Sequence, residues 1–297
     1  RLVVEPATGT RSLTCPYHAW TYSLDGVLNG RPHYHGPNEH DHGASEKICL
    51  FQVRSARWHD WVFVNLDGTA APLDVYLGPA MARYEAWNIG SFRRGAYAAF
   101  EFGANWKLVV ENFCDNYHVF KVHPNLHDMQ VAGDRFAMEP QGSHMFAYYT
   151  MAVDSRGLTV DTEGPTLPVA PELPDNLLRH SPFCNLFPNA TMAIFPSNIE
   201  FFMFEPVGVD KCIMHVWFYF VGDAAEDEEH REAREKVVAE WTDLNAEDAD
   251  ICHRLQQGRA CDAYDGGRLA PYWDTGTAHF HRQIVHAIRG DGPFGKS

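Results

Sequence analysis

Glu111-Asn112-Phe113-Cys114-Asp115-Asn116-Tyr117-His118-Val119-Phe120-Lys121-Val122-His123 is the stretch on which the reading of this chain turns. Two histidines stand five apart, and an acid stands three residues before the first. Upstream, Leu108, Val109, Phe113 and Tyr117 recur at helical spacing, which predicts a helix over 106–118 that Pro124 stops. On a regular helix, residues five apart point about 140° away from each other. His118 and His123 therefore meet only if a π-bulge or a helix end falls between them. A metal gives a reason to bring them together. Two imidazoles and one carboxylate on one face of ferrous iron leave positions open for dioxygen and substrate. The spacing is not the His-Glu-x-x-His of zinc peptidase helices. Two core histidines satisfied by backbone groups are the bland alternative.

The carboxylate is expected from further along. Asp248 is chosen within Glu247-Asp248-Ala249-Asp250-Ile251-Cys252-His253-Arg254-Leu255-Gln256-Gln257-Gly258, with Glu247 and Asp250 as competitors and Asp243 a more distant one. Asn245 reads as an N-cap, which places Asp248 in a first helical turn, where the helix dipole favours a negative charge. Asp115 has a different expected role. A metal-bound imidazole donates its other N–H to a carboxylate or carbonyl, and an acid three residues earlier on a helix is close enough to accept it.

A second signature lies near the N-terminus, Cys15-Pro16-Tyr17-His18-Ala19-Trp20-Thr21-Tyr22-Ser23-Leu24-Asp25-Gly26. Cys-x-x-His between short strands is half of a zinc site, half of a histidine-bearing iron–sulfur site, or a packed cysteine beside a surface histidine. The other cysteines, at 49, 114, 184, 212, 252 and 261, follow no motif; Cys114 reads as a small buried residue rather than a nucleophile.

Composition narrows the function. With 24 basic and 39 acidic residues the net charge is −15, which argues against nucleic acid as a partner. No run of about eighteen apolar residues occurs, so no membrane span is expected. Seven cysteines without paired spacing argue against a secreted disulfide framework, and a reducing, cytoplasmic location is expected. Strand-like runs fall at 2–4, 12–14, 21–23, 51–54 and 61–65, with turns at Asp25-Gly26 and Asp67-Gly68. The stretch 31–43, with His33, His35, His40 and His42, reads as a surface loop. A linker and short helix (78–86) follow, then strands at 92–102, 191–195, 201–206 and 213–221, with prolines clustered from Pro165 to 174. Helices are expected at 226–244, 246–259 and 279–288. The order gives an all-β domain at 1–75 and an α+β domain at 76–297, an antiparallel sheet with helices on one face.

Asn105-Trp106-Lys107, Glu111-Asn112, Asp115-x-Tyr117-His118 and His123-Pro124, with the acidic helix ending Leu255-Gln256-Gln257-Gly258, resemble the catalytic domain of Rieske non-haem iron oxygenase α subunits, including those that hydroxylate aromatic rings. The Cys15–Gly26 stretch resembles the second metal-binding loop of the Rieske domain, and Trp61-Val62-Phe63-Val64-Asn65-Leu66-Asp67 its closing strand. The resemblance implies a Rieske [2Fe-2S] domain followed by a helix-grip-like catalytic domain. It implies mononuclear Fe(II) held by His118, His123 and Asp248. Cys15 and His18 would ligate the cluster, with Trp20 beside them. The first Rieske loop, a Cys-x-His, is absent before Cys15, so a chain truncated at its N-terminus is expected. In the family, Asp115 would be the bridging acid, relaying electrons to His118 from His18 of a neighbouring subunit, in a homotrimer or an α3β3 assembly. Electrons would come from NAD(P)H through a ferredoxin or reductase component. The expected reaction is O2-dependent hydroxylation of an organic, aromatic substrate. A monooxygenase or demethylase acting on a quaternary ammonium compound is the second expectation. A zinc-dependent hydrolase using His118 and His123 is the alternative of another class.

Overall fold

Aromatic and β-branched residues build strands in most of the places where the sequence predicts them, and a computed structural model describes residues 1–42, 48–131, 136–152 and 166–290. The chain divides into two compact units, Arg1–Thr69 and Ala70–Ser297.

In the first unit, β1 (Ser12–Thr14), β2 (Thr21–Ser23), β3 (Leu28–Gly36) and β4 (Glu39–Asp41) form one antiparallel sheet in that order, and β5 (Arg54–Trp58) pairs with β6 (Trp61–Asn65). Residues 2–4 form no strand, and the run expected at 51–54 begins only at Arg54. The histidine-rich stretch is not a plain surface loop, since β3 and β4 make a hairpin there. Arg31, 1% exposed, explains it: its guanidinium pairs with Asp41 across the hairpin and lies 3.7 Å from the centre of the Tyr34 ring. A buried cation of this kind is tolerated only when paired. Gly43 lies outside the described residues.

The second unit is α+β. A seven-stranded antiparallel sheet runs in the order β7 (Phe92–Phe102), β13 (Cys212–Val221), β12 (Asn198–Pro206), β11 (Ala190–Ile194), β10 (His180–Leu186), β9 (His144–Thr150), β8 (Glu139–Gln141). On one face lies α1 (Leu73–Tyr84), longer than the helix expected at 78–86. It buries Leu77, Ala80 and Tyr84, and the Tyr84 ring meets Phe146 at 6.2 Å. The other face carries the helices that matter for function. The helix expected over 106–118 ends early as α2 (Trp106–Phe113), and two short helices follow beyond it, α3 (Val119–Val122) and α4 (Pro124–Met129). The helices expected at 226–244 and 246–259 are one, α5 (Arg231–Arg259). The last is α6 (Thr275–Arg289). Pro165 lies outside the described residues.

An aromatic cluster fixes α2 and α5 on the sheet. Phe202 of β12 meets Trp241 of α5 at 5.0 Å and Phe113 of α2 at 5.5 Å, and Phe113 meets Phe204 at 5.1 Å. Each buried ring of this kind contributes about 1.5–3 kcal/mol. Because Phe202 and Phe204 are two apart on a strand, they share a face, and the helices crossing them are held side by side. At the end of α2, α6 approaches closely: a Cβ on Gly276 would lie 2.9 Å from the Cys114 carbonyl oxygen, so glycine is needed there. Glu111 of α2 ties the same region together through Arg259 (2.5 Å) and His281 (2.8 Å). No helix among the described residues is long and apolar enough to cross a membrane.

Candidate metal centre

The site begins where α2 stops. Asn105 caps the helix, its side-chain oxygen accepting from the Lys107 N–H (3.1 Å). The helix leaves regular geometry at Cys114, and the Asp115 carboxylate accepts the Tyr117 N–H (2.5 Å), closing a turn. His118 then caps the one-turn helix α3. Its far end is His123, with φ −118° and ψ 69°. Pro124 does not simply stop a helix; it stands at the first position of α4, where a missing N–H loses no bond. The chain therefore ends a helix at the second histidine, and the rings meet with Nε2 to Nε2 at 3.2 Å.

Asp248 completes the cluster. Its Oδ1 lies 2.9 Å from His123 Nε2 and 3.6 Å from His118 Nε2. Ligand atoms of His118, His123 and Asp248 all lie within 4.8 Å of one another, and it is the only such group of three among the described residues. Edges of this length fit three donors around one ion with bonds of about 2 Å. The residues thus fit a metal: two imidazoles and a carboxylate aim at one point, with His123 and Asp248 only 2% and 3% exposed.

The expected N-cap for Asp248 is absent. Val237, Trp241, Asn245, Asp248 and Cys252 form one continuous buried stripe on α5, with Asn245 fully buried in mid-helix. Asp248 itself stands in the interior of α5, far from its first residue Arg231. Its partners are the two histidines and Asn112, whose Nδ2 donates to Oδ1 (2.7 Å). Asp250 points away, paired with Arg254 at 2.8 Å, and Asp243 is exposed. Glu247, expected only as a competitor for the metal, is placed otherwise. Its Oε2 is 2.7 Å from His123 Nδ1, where it accepts that N–H and leaves the Nε2 lone pair facing the site. Asp115 Oδ2 lies 3.4 Å from His118 Nδ1, which has no closer partner among the described residues. Burial opposes charge on His123, but Asp248 and Glu247 outweigh it and hold its pKa above the ordinary value. A bound metal would take the place of that proton.

Glu247 as the support of His123, and Asn112 as the support of Asp248, were not legible as such in the sequence. The pairs are separated by 124 and 136 positions, and no local pattern links them.

The cysteine–histidine signature sits on the loop between β1 and β2. Cys15 N–H donates to the Trp20 carbonyl (2.8 Å), Ala19 N–H returns to the Cys15 carbonyl (3.0 Å), and Ala19 takes φ 57°. Backbone N–H groups of Tyr17 and His18 face the sulfur and lower its pKa, as suits a thiolate ligand. His18 is exposed, with its ring against Tyr17 at 3.8 Å, and Trp20 meets Tyr34 edge-on at 5.8 Å. The donor set fits half of an iron–sulfur site. No third ligating side chain joins it among the described residues.

Beside the three donors of the metal centre lies a cavity of about 650 Å³, counted out to its open mouth. Its walls are apolar, with Phe113, Tyr149, Phe183, Phe195, Trp241 and Leu244, and no Lys or Arg among the described residues lines it. Behind Trp241 sits Glu200, fully buried on β12. Asn198 Nδ2 donates to its Oε1 (2.6 Å), the Trp241 indole lies alongside without a well-aligned bond, and burial pushes its pKa up to about 8.

A model of the ring hydroxylating alpha subunit (catalytic domain) matches residues 89–290. Carnitine monooxygenase oxygenase subunit from Escherichia coli (strain K12) is 25% identical over 290 residues, covering 93% of this chain and 71% of its own. Chloroplastic choline monooxygenase from Spinacia oleracea is 24% identical over 282 residues, covering 93% of this chain and 59% of its own. The fold is similar to that of a quaternary ammonium Rieske monooxygenase, with a TM-score of 0.73 at 20% identity over 96% of this chain and 74% of the other. It is also similar to naphthalene 1,2-dioxygenase with indole bound, with a TM-score of 0.64 at 20% identity over 99% of this chain and 77% of the other.

Proposed function

The chain belongs to the ring-hydroxylating α-subunit family, whose catalytic domain spans residues 89–290, and we propose that it acts as an O2-activating oxygenase component on an organic substrate. Proteins of this Rieske oxygenase family carry mononuclear iron and a Rieske [2Fe-2S] cluster. The observation that carries the reading is the convergence of His118, His123 and Asp248 beside an apolar cavity. These three would hold Fe(II). When bound there, ferrous iron supplies the redox chemistry that activates dioxygen.

The chain's own residues supply the rest. Glu247 and Asn112 fix the orientation of His123 and Asp248. Asp115 holds the tautomer of His118 and, in this reading, joins it to His18 of a neighbouring copy in a trimeric or α3β3 assembly. Cys15 and His18 contribute ligands to the cluster, with Trp20 packed beside their loop. Electrons come from a separate reductase or ferredoxin. Phe113, Phe183, Phe195 and Trp241 exclude water and hold the substrate against the metal face.

An aromatic substrate fits these walls. A quaternary ammonium substrate is the second reading. It is favoured by the curated relatives, by aromatic rings able to face a cation, and by a lining with no Lys or Arg among the described residues. Iron analysis and reductase-driven oxygen uptake with product detection, run on both compound classes, test the proposal. Oxygen uptake coupled to product and dependent on Fe(II) is expected. Substrate hydrolysis supported by zinc without a reductant would replace the reading with a hydrolase.

A further inference from the structure

Along the cavity wall, the polar side chains are spoken for, save Ser181 and the Nδ1 of His118, which faces Asp115 at 3.4 Å. Asn112 donates to Asp248. Asn116 accepts from the Tyr149 hydroxyl (2.5 Å) and donates to the Phe136 carbonyl (2.8 Å). Asp115 accepts from Tyr117, and Gln130 has an interaction of its own. Ser181 stands apart. It lines the cavity, it is 3% exposed, and its Oγ has no hydrogen-bond partner among the described residues. Its place on β10 aims it inward: Phe183, two residues on, shares its face of the strand and stacks on Phe113 at 6.2 Å. A buried hydroxyl without a partner is unfavourable, so one kept on the wall of an otherwise apolar cavity points to a ligand that supplies the partner.

We propose that Ser181 Oγ is the specificity-determining contact for a neutral hydrogen-bonding group of the substrate, a hydroxyl, ether or carbonyl oxygen or an N–H on an apolar body. The charge of the group follows from the surroundings. The lining carries Asp115 and Asp248 and no Lys or Arg among the described residues, so no Lys or Arg meets an anion beside Ser181. This rests on reading the cavity as the substrate site of the oxygenase.

Binding of p-cresol and p-xylene to the purified, metal-loaded chain tests it, measured by calorimetry without reductant. The two probes differ by a hydroxyl in place of a methyl. The ratio of their affinities is compared between the wild type and Ser181→Ala, so that differences in hydration cancel. The ratio is expected to fall about tenfold in the variant, through weaker p-cresol binding alone. Ser181→Cys, which fills the space with a poor hydrogen-bonding atom, should behave the same way should the alanine variant prove unstable. An unchanged ratio in both variants, or no binding of either probe to the wild type, overturns the proposal. Because no turnover is measured, loss of the preference in a protein that never consumes oxygen would leave the subsite standing and fell only the oxygenase reading.

Discussion

Glu200 offers the sharpest physical test of how the cavity wall is built. Its carboxyl is fully buried on β12 behind Trp241, with one oxygen bonded to Asn198 and the other without a partner among the described residues. Burial pushes its pKa from 4.5 up to about 8. The folded chain therefore keeps a proton that the unfolded chain releases. Below about pH 4.5 both states hold it, and the contribution to stability is complete. As pH rises through about 8 that contribution is lost. The difference corresponds to about 4–5 kcal/mol, a large share of the roughly 5–15 kcal/mol that holds a domain folded. Glu200→Gln keeps the shape and removes the titration. Urea unfolding at pH 5, 6.5 and 8, followed by tryptophan fluorescence, should show wild-type stability falling relative to the variant by about 4 kcal/mol across that range. Infrared spectra at neutral pH should show a protonated-carboxyl carbonyl stretch in the wild type that the variant lacks. Equal pH slopes for the two proteins would refute the argument that this acid is neutral in the folded chain.

Further outcomes follow from the same geometry. Asp115→Asn should leave iron content near normal while lowering steady-state turnover about 10- to 100-fold, because the acid touches His118 and not the metal point; near-normal turnover would remove its role. Glu247→Gln should weaken iron binding about 10- to 100-fold in a chelator competition, whereas Asp250→Asn, at an exposed ion pair, should change nothing. Equal effects of the two would mean that Glu247 does not orient His123. Phe202→Ala, at the contact of α2, α5 and the sheet, should lower unfolding free energy by about 3–5 kcal/mol, and a loss under about 1 kcal/mol would show that the aromatic cluster does not fix these helices.

Much of this was readable from local pattern. The run Phe92–Phe102, the hairpin strands around Cys15 and the α+β order follow from strand-forming composition and period, which act over a few residues. The two histidines and the need for a distant acid follow from ligand chemistry. The broken helix was harder. Leu108 to Tyr117 carries a helical repeat, yet α2 ends at Phe113, because Gly276 packs against Cys114 and the Asp115 carboxylate closes a turn onto Tyr117. The histidine-rich hairpin was hidden in the same way, since the Arg31–Asp41 pair that holds it joins residues ten apart.

The residue types and spacing by themselves determined that this chain can offer two imidazoles and a carboxylate to a metal, and that a thiolate and a histidine share one loop. Which acid joins the histidines was decided only by the tertiary structure. Glu247, Asp248 and Asp250 differ by about 100° per residue around α5, so an unbroken helix can turn only one of them to the cavity. Packing of Trp241 against Phe202 sets that rotation, and with it Asp248 faces the site, Glu247 reaches His123 from the side and Asp250 meets solvent.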